Sequence, residues 1–200
     1  MYKITHSLLG AWEYATGEYA DEDSLEEFRH TLRREPQKQN KAAVLGCEFE
    51  DNVTFYAKHG QFQQPTATYT RAEQLAIKTF GDKLRGAVPQ IKTSKVIRLM
   101  EMDFKLVGVA DFVKAGVIYD TKRVSRYEYG KYFKSTQHPM YFELFPEAWQ
   151  FTYLIFNGQD ALEETYLRRD AEPIELAIRR FIRDMRSIGE LETYKKYWEV

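Results

Sequence analysis

Asp111, Asp120 and Lys122 are the residues whose types and spacing could do chemistry in this 200-residue chain. They fall in the stretch Gly108-Val-Ala-Asp-Phe-Val-Lys-Ala-Gly-Val-Ile-Tyr-Asp-Thr-Lys122. It reads as two short strands, one through Val107, Val109 and Phe112 and one through Val117-Ile118-Tyr119, joined by a tight turn at Lys114-Ala115-Gly116. Side chains two apart on a strand share a face, so Asp120 and Lys122 project together. The turn folds the first strand back, which can bring Asp111 alongside Asp120. Two carboxylates beside one ammonium offer the hard oxygen ligands that Mg²⁺ and Mn²⁺ take, with waters completing the shell. A lysine at such a site can orient or deprotonate an attacking water, or steady charge on a transferring phosphate. The chemistry indicated is metal-assisted phosphodiester cleavage. An Asp-x-Lys on a strand is more often a surface ion pair of little energetic worth. Here apolar Val117-Ile118-Tyr119 leads into the pair, and charges that end a buried strand require a reason.

Composition narrows the field. With 29 basic and 30 acidic residues the net charge is −1, so no global field draws the chain to nucleic acid, and contact must come from local basic patches. The single cysteine, Cys47, excludes an internal disulfide and a Cys₄ zinc or iron–sulfur site. The four histidines, His6, His30, His59 and His138, show no close ligand spacing. No apolar run approaches membrane-spanning length and no signal-peptide pattern follows Met1, so a soluble, cytoplasmic protein with no membrane partner is expected. The length suits one domain over residues 1–200.

The positioning elements follow from local patterning. Residues 4–16 predict a short amphipathic helix with Ser7 as N-cap and Leu8, Leu9 and Trp12 inward. A second helix is expected over 20–32, then a polar linker, 33–41, containing Pro36. Helices follow over 42–58, with Val44, Phe49, Val53 and Tyr56 inward, and over 71–83. Strands are expected at Val96–Met100, Phe104–Asp111 and Val117–Lys122. A basic-aromatic loop spans 123–132, and a helix over 132–145 begins late or kinks at Pro139. Phe151–Phe156 and Glu164–Arg168 flank an Asn157-Gly158 turn. Pro173 opens a helix over 172–187, and a short helix carries Tyr194, Tyr197 and Trp198. The fold class is α/β or α+β, a central mixed sheet flanked by helices. In the 122–134 segment cations alternate with aromatics, so Arg123, Arg126, Lys131 and Lys134 are candidates for phosphate contact, with tyrosines for stacking.

Five motifs in order resemble the PD-(D/E)XK nucleases of the RecB and lambda-exonuclease type: Ser7-x-Leu9-x-x-Trp12, Gly46-x-x-Phe49-Glu50, Gly108-x-x-Asp111, Asp120-x-Lys122 and Gln137-x-x-x-Tyr141. The resemblance covers about residues 4–156. It implies a restriction-endonuclease-like core over about 42–156 and a Mg²⁺- or Mn²⁺-dependent deoxyribonuclease of exonuclease type. Such enzymes act in DNA recombination, repair or replication, and small stand-alone forms are encoded by phages and mobile elements. It further implies that Glu50, Asp111, Asp120 and the Thr121 carbonyl hold the metal, that Lys122 is catalytic, and that Gln137 and Tyr141 help hold DNA. The iron–sulfur clamp of some relatives is absent for want of its cysteines. DNA, an annealing or replication protein and a second copy of the chain are the partners implied. The alternative is a nucleic-acid-binding module that keeps the fold without catalysis.

Overall fold

Six strands pair into one mixed sheet with helices packed against it, an α+β arrangement. The structure, a computed structural model, describes residues 1–17, 20–36 and 41–200. Among them the chain runs β1 (Tyr2–Thr5), α1 (His6–Thr16), α2 (Glu22–Leu32), α3 (Lys41–His59), α4 (Arg71–Leu84), β2 (Val88–Leu99), β3 (Met102–Lys114) and β4 (Val117–Arg123). Then come α5 (Gln137–Leu144), β5 (Gln150–Phe156), β6 (Ala161–Leu167), α6 (Ile174–Ser187) and α7 (Leu191–Trp198). Of the linker expected over 33–41, residues 37–40 lie outside the described residues. Among the described residues no helix is long and apolar enough to cross a membrane.

The central hairpin forms as its sequence requires. β3 and β4 pair antiparallel with Phe112 opposite Tyr119, and Ala115 and Gly116 between them take φ 50° and 76°. Two successive left-handed residues give the turn whose twist suits a two-residue hairpin, which favours glycine there. β2 pairs antiparallel along nearly the whole of β3, so β1 and β4 must share the other edge. β1 runs parallel to residues Phe104–Val107, while β4 pairs only with Phe112–Lys114. Gly108 to Asp111 therefore have no strand partner on that edge, and β4 splays away from β3 as a fork. Beyond it β5 lies parallel to β4, and β6 antiparallel to β5.

One apolar cluster packs α1, α2, α5, α6 and α7 against one side of this sheet; a second, around Phe49, Val53, Tyr56, Ile77 and Phe80, packs α3 and α4 against the other. Several local expectations shift. The first helix begins at His6, because Tyr2–Thr5 is recruited as β1, and its N-cap is Thr5, whose hydroxyl accepts from Leu8 N at 3.2 Å, rather than Ser7. Val44 is exposed, since α3 meets the sheet only through its later turns. β2 starts at Val88, eight residues before the expected Val96: Pro89 to Lys95 is mostly exposed and polar, and pairing with β3 carries it into the sheet. α5 begins late, at Gln137, with Pro139 in its first turn, where a missing N–H costs nothing.

Candidate active site at the strand fork

The fork lets Asp111 and Asp120 face one another without a ladder between them. Thr121, paired with β5 but beyond the β3–β4 ladder, donates its N–H to Asp111 Oδ2 at 3.3 Å, so a side chain takes the place of a backbone acceptor. Asp120 is buried; its Oδ1 accepts from Gln137 Nε2 at 2.5 Å, and its Oδ2 lies 2.7 Å from Lys122 Nζ. Lys122 keeps about a third of its side chain exposed, at 30%. Burial works to lower its pKa, but Asp120 and then Asp111 more than offset this, holding an ammonium above the usual lysine value. Asp111 is pushed well above the usual carboxylate range by burial first, then by Asp120 and Glu50.

Glu50 reaches the same neighbourhood from α3. Phe49 stacks on Phe156 of β5 at 5.2 Å, which anchors that turn of the helix. Glu50 Oε1 accepts from Gln90 Nε2 at 2.7 Å, and its pKa is raised by burial, then by Asp120 and Asp51. Gln90 itself sits at φ 53°, a left-handed position in β2 across from the fork. Nothing in the sequence marked it, because its role depends on a helix forty residues away. Gly108 in the same motif has a packing reason. A Cβ there would stand 2.7 Å from Leu144 Cδ1 and 3.4 Å from the Tyr141 ring, so glycine lets α5 close on β3 without moving the leucine. At Gly46 a Cβ would meet nothing within 4 Å, so that motif glycine has no such role.

Gln137 and Tyr141, expected to grip substrate, are turned inward instead. Gln137 is 4% exposed and holds Asp120; Tyr141 is 7% exposed and donates to the Val109 carbonyl at 2.5 Å. Their common helix face meets the fork, so they support its carboxylates and its gap. The basic-aromatic loop also divides. Tyr127 OH, Tyr166 OH and Tyr132 N all donate to the buried Glu164 carboxylate, and Tyr132 stacks on Tyr153 at 4.3 Å. Those tyrosines anchor the loop, while Tyr129 stands 83% exposed. Arg123, Arg126 and Lys131 line an open cleft of about 650 Å³ with no carboxylate in its wall among the described residues, Arg123 lying 3.9 Å from Glu73 beside it. Lys134 faces a different cavity, beside Phe133 and Arg180.

His6, passed over for want of ligand spacing, opens α1 beside Lys122 and Asp120. Burial and the Lys122 charge lower its pKa to about 4, Asp120 acting the other way, and its buried Nδ1 has no hydrogen-bond partner among the described residues. Only the parallel pairing of β1 with β3 brings it there.

The donor set suits a hard divalent cation. The Asp120 charge helps raise both Asp111 and Glu50, a single ammonium stands against the three carboxylates, and Thr121 Oγ1 is buried without a partner among the described residues, so oxygen donors predominate. Asp111 and Asp120 are the facing pair, and Glu50 stands back on Gln90. Among the described residues no three His, Cys, Asp or Glu side chains are gathered at metal-holding separations.

No family model and no curated protein matches the sequence. Among solved structures, the crystal structure of SSO0001 is similar, with 16% identity over 94% of this chain and 76% of that one and a TM-score of 0.54. At that identity the likeness is one of fold, and it fits the α+β architecture described above.

Proposed function

We propose that this chain is a divalent-metal-dependent DNA nuclease that hydrolyses phosphodiester bonds at strand ends. The observation that carries the reading is the fork itself: Asp111 and Asp120 face each other, with Lys122 Nζ 2.7 Å from one Asp120 oxygen and Gln137 fixing the other. Asp111 and Asp120, with Glu50 and the Thr121 carbonyl, would hold Mg²⁺ or Mn²⁺. The metal supplies a polarised phosphoryl oxygen and a more acidic water at neutral pH. Lys122, kept as an ammonium by the two aspartates, offsets the negative charge that builds on the phosphorus oxygens. Gln137 keeps Asp120 in one orientation, and Gln90 does the same for Glu50. The cleft of Arg123, Arg126 and Lys131 adjoins the end of β4 and offers cations to successive phosphates.

That cleft would serve a binding module equally well, so activity must decide. Purified protein is incubated with linear and circular DNA, and with RNA, in Mg²⁺, Mn²⁺ or EDTA. Metal-dependent loss of linear DNA, abolished in Asp120→Asn, is the expected result. Salt-sensitive binding with no cleavage in either metal would favour the non-catalytic module.

A further inference from the structure

Along β3, Phe104 and Leu106 are buried and Gly108 meets α5, so the alternate residues Lys105, Val107 and Val109 turn to the opposite face of the sheet. That face stays open: Val109 and, on β2, Val96 are exposed. It also gathers charge. Lys105 stands directly opposite Lys3 of β1, and Ser94 and Lys92 of β2 stand opposite Val107 and Val109. The three lysines and Ser94 line one cleft of about 530 Å³ with no Asp or Glu in its wall among the described residues. Lys95, one residue past Ser94, pairs with Glu143 at 2.5 Å, but Lys3, Lys92 and Lys105 have no ion-pair partner among the described residues, the bordering Val200 end of the chain included. Lys3 is held below the usual lysine value by burial, then by Arg34, Lys92 and Lys105. Like charges directly opposite in a ladder destabilise it, so the cluster needs an explanation. Lysines on edge strands guard against stray pairing, which would account for Lys3 and Lys92. It does not account for Lys105, whose strand is paired on both sides. A chain of net charge −1 thus concentrates unpaired cations on one open sheet face.

We propose that Lys3, Lys92 and Lys105, with the Ser94 hydroxyl, hold the phosphate backbone of DNA on one side of the fork, while the cleft of Arg123, Arg126 and Lys131 holds it on the other. That the polymer is DNA rests on the nuclease reading. The polyanion class follows from the site: three long, singly charged side chains spread over an open face suit a line of phosphates, which lysine meets as a point charge. In sheet order the fork, between β3 and β4, lies between the two basic surfaces. Lys105 precedes Asp111 by six residues on β3, about 20 Å of strand, or roughly six base-pair rises of duplex DNA. Lys92 stands closer, across from a residue two before Asp111. The preferred substrate is then one whose backbone continues past the fork, and a very short oligonucleotide would lose this contact.

The test is the salt dependence of binding in EDTA, which separates it from cleavage. Affinity for a fluorescein-labelled DNA duplex is measured by anisotropy across a range of NaCl concentrations. Each phosphate contact contributes about 0.9 to the slope of log affinity against log salt. The Lys3→Gln/Lys92→Gln/Lys105→Gln protein should therefore lose about 2 to 3 from the wild-type slope, and Lys92→Gln alone, at an exposed position, about 1. The triple variant removes the Lys3–Lys105 repulsion, so it should melt no lower than wild type. An Arg179→Gln/Arg183→Gln/Arg186→Gln protein loses the same charge from α6 and should keep the wild-type slope. An unchanged slope in the lysine variants, or an equal fall in the arginine variant, would overturn the proposal. So would loss of binding to anionic phospholipid vesicles in the lysine variants with DNA binding intact. Metal-dependent cleavage with an unchanged slope would sink the lysine track and leave the nuclease reading standing; a lowered slope without cleavage by wild type would do the reverse.

Discussion

Asp120 and Glu164 are both buried carboxylates, and both stand opposite Tyr153 in the sheet, one on β4 and the other on β6. Their surroundings differ in kind. Glu164 accepts from three neutral donors, two tyrosine hydroxyls and the Tyr132 N–H, which satisfy it in full and bind the 124–136 loop to the sheet. Asp120 has one amide and one ammonium, lies across from a second carboxylate, and has an oxygen without an aligned hydrogen bond among the described residues. Burial alone therefore does not mark a functional acid. A carboxylate saturated by neutral donors is structural, while one left among like charges with a lone cation is set up for a further partner.

The sharpest way to break this contrast is to remove each charge in turn. Asp120→Asn and Lys122→Ala should each lower cleavage by about 10²–10⁴-fold with little change in melting temperature, because the fork loses repulsion or a partly exposed cation rather than packing. Near-wild-type turnover in Lys122→Ala would reduce that residue to an ion-pair partner. Glu164→Ala should do the opposite. It strands three donors and should cost about 2–4 kcal/mol in denaturant unfolding, with activity per folded molecule largely kept. If Glu164→Ala is as stable as wild type, the contrast between the two acids fails.

Intermediate effects belong to the amides that hold the acids. Gln137→Ala and Gln90→Ala should each lower metal affinity or turnover by about 10–100-fold, the range seen when the partners of ligating groups are removed. A Gln137→Ala protein that binds metal normally but loses DNA affinity would restore a substrate role for that side chain.

The smallest effect lies at the far end of the same helix support. Glu13 accepts from Thr136 N at 2.9 Å just before α5, and burial, opposed by that bond, raises its pKa from the usual 4.5 to about 7. A raised carboxyl favours the protonated folded state, so its contribution is fully present below pH 4.5 and is lost as pH rises through about 7. Glu13→Gln keeps the acceptor and removes the charge. It should match wild type near pH 4.5 and exceed it at pH 8 by on the order of 1 kcal/mol, after allowance for solvent screening. Parallel stability curves for the two proteins across that range would refute it.

What the sequence determined by itself was local. The turn at Ala115-Gly116, the pairing of Asp120 with Lys122 on one face, and the helices through Phe49 and through Phe181 all follow from periods and turn residues within a few positions of one another. Only the tertiary structure decided the rest, because it depends on pairings between distant segments. Tyr2–Thr5 becomes a strand because one edge of β3 is free, and this carries His6 to the site. The first part of β2 is too polar to announce itself, yet it brings Gln90 to Glu50 across forty residues. The basic-aromatic loop shows its cations and rings in sequence but not their directions. Tyr127 and Tyr132 turn inward because Glu164, on a strand more than thirty residues later, lies under them. Short-range patterns fix most of the elements; β1, the first part of β2 and the meeting of side chains are set by sheet order and by where two strands part.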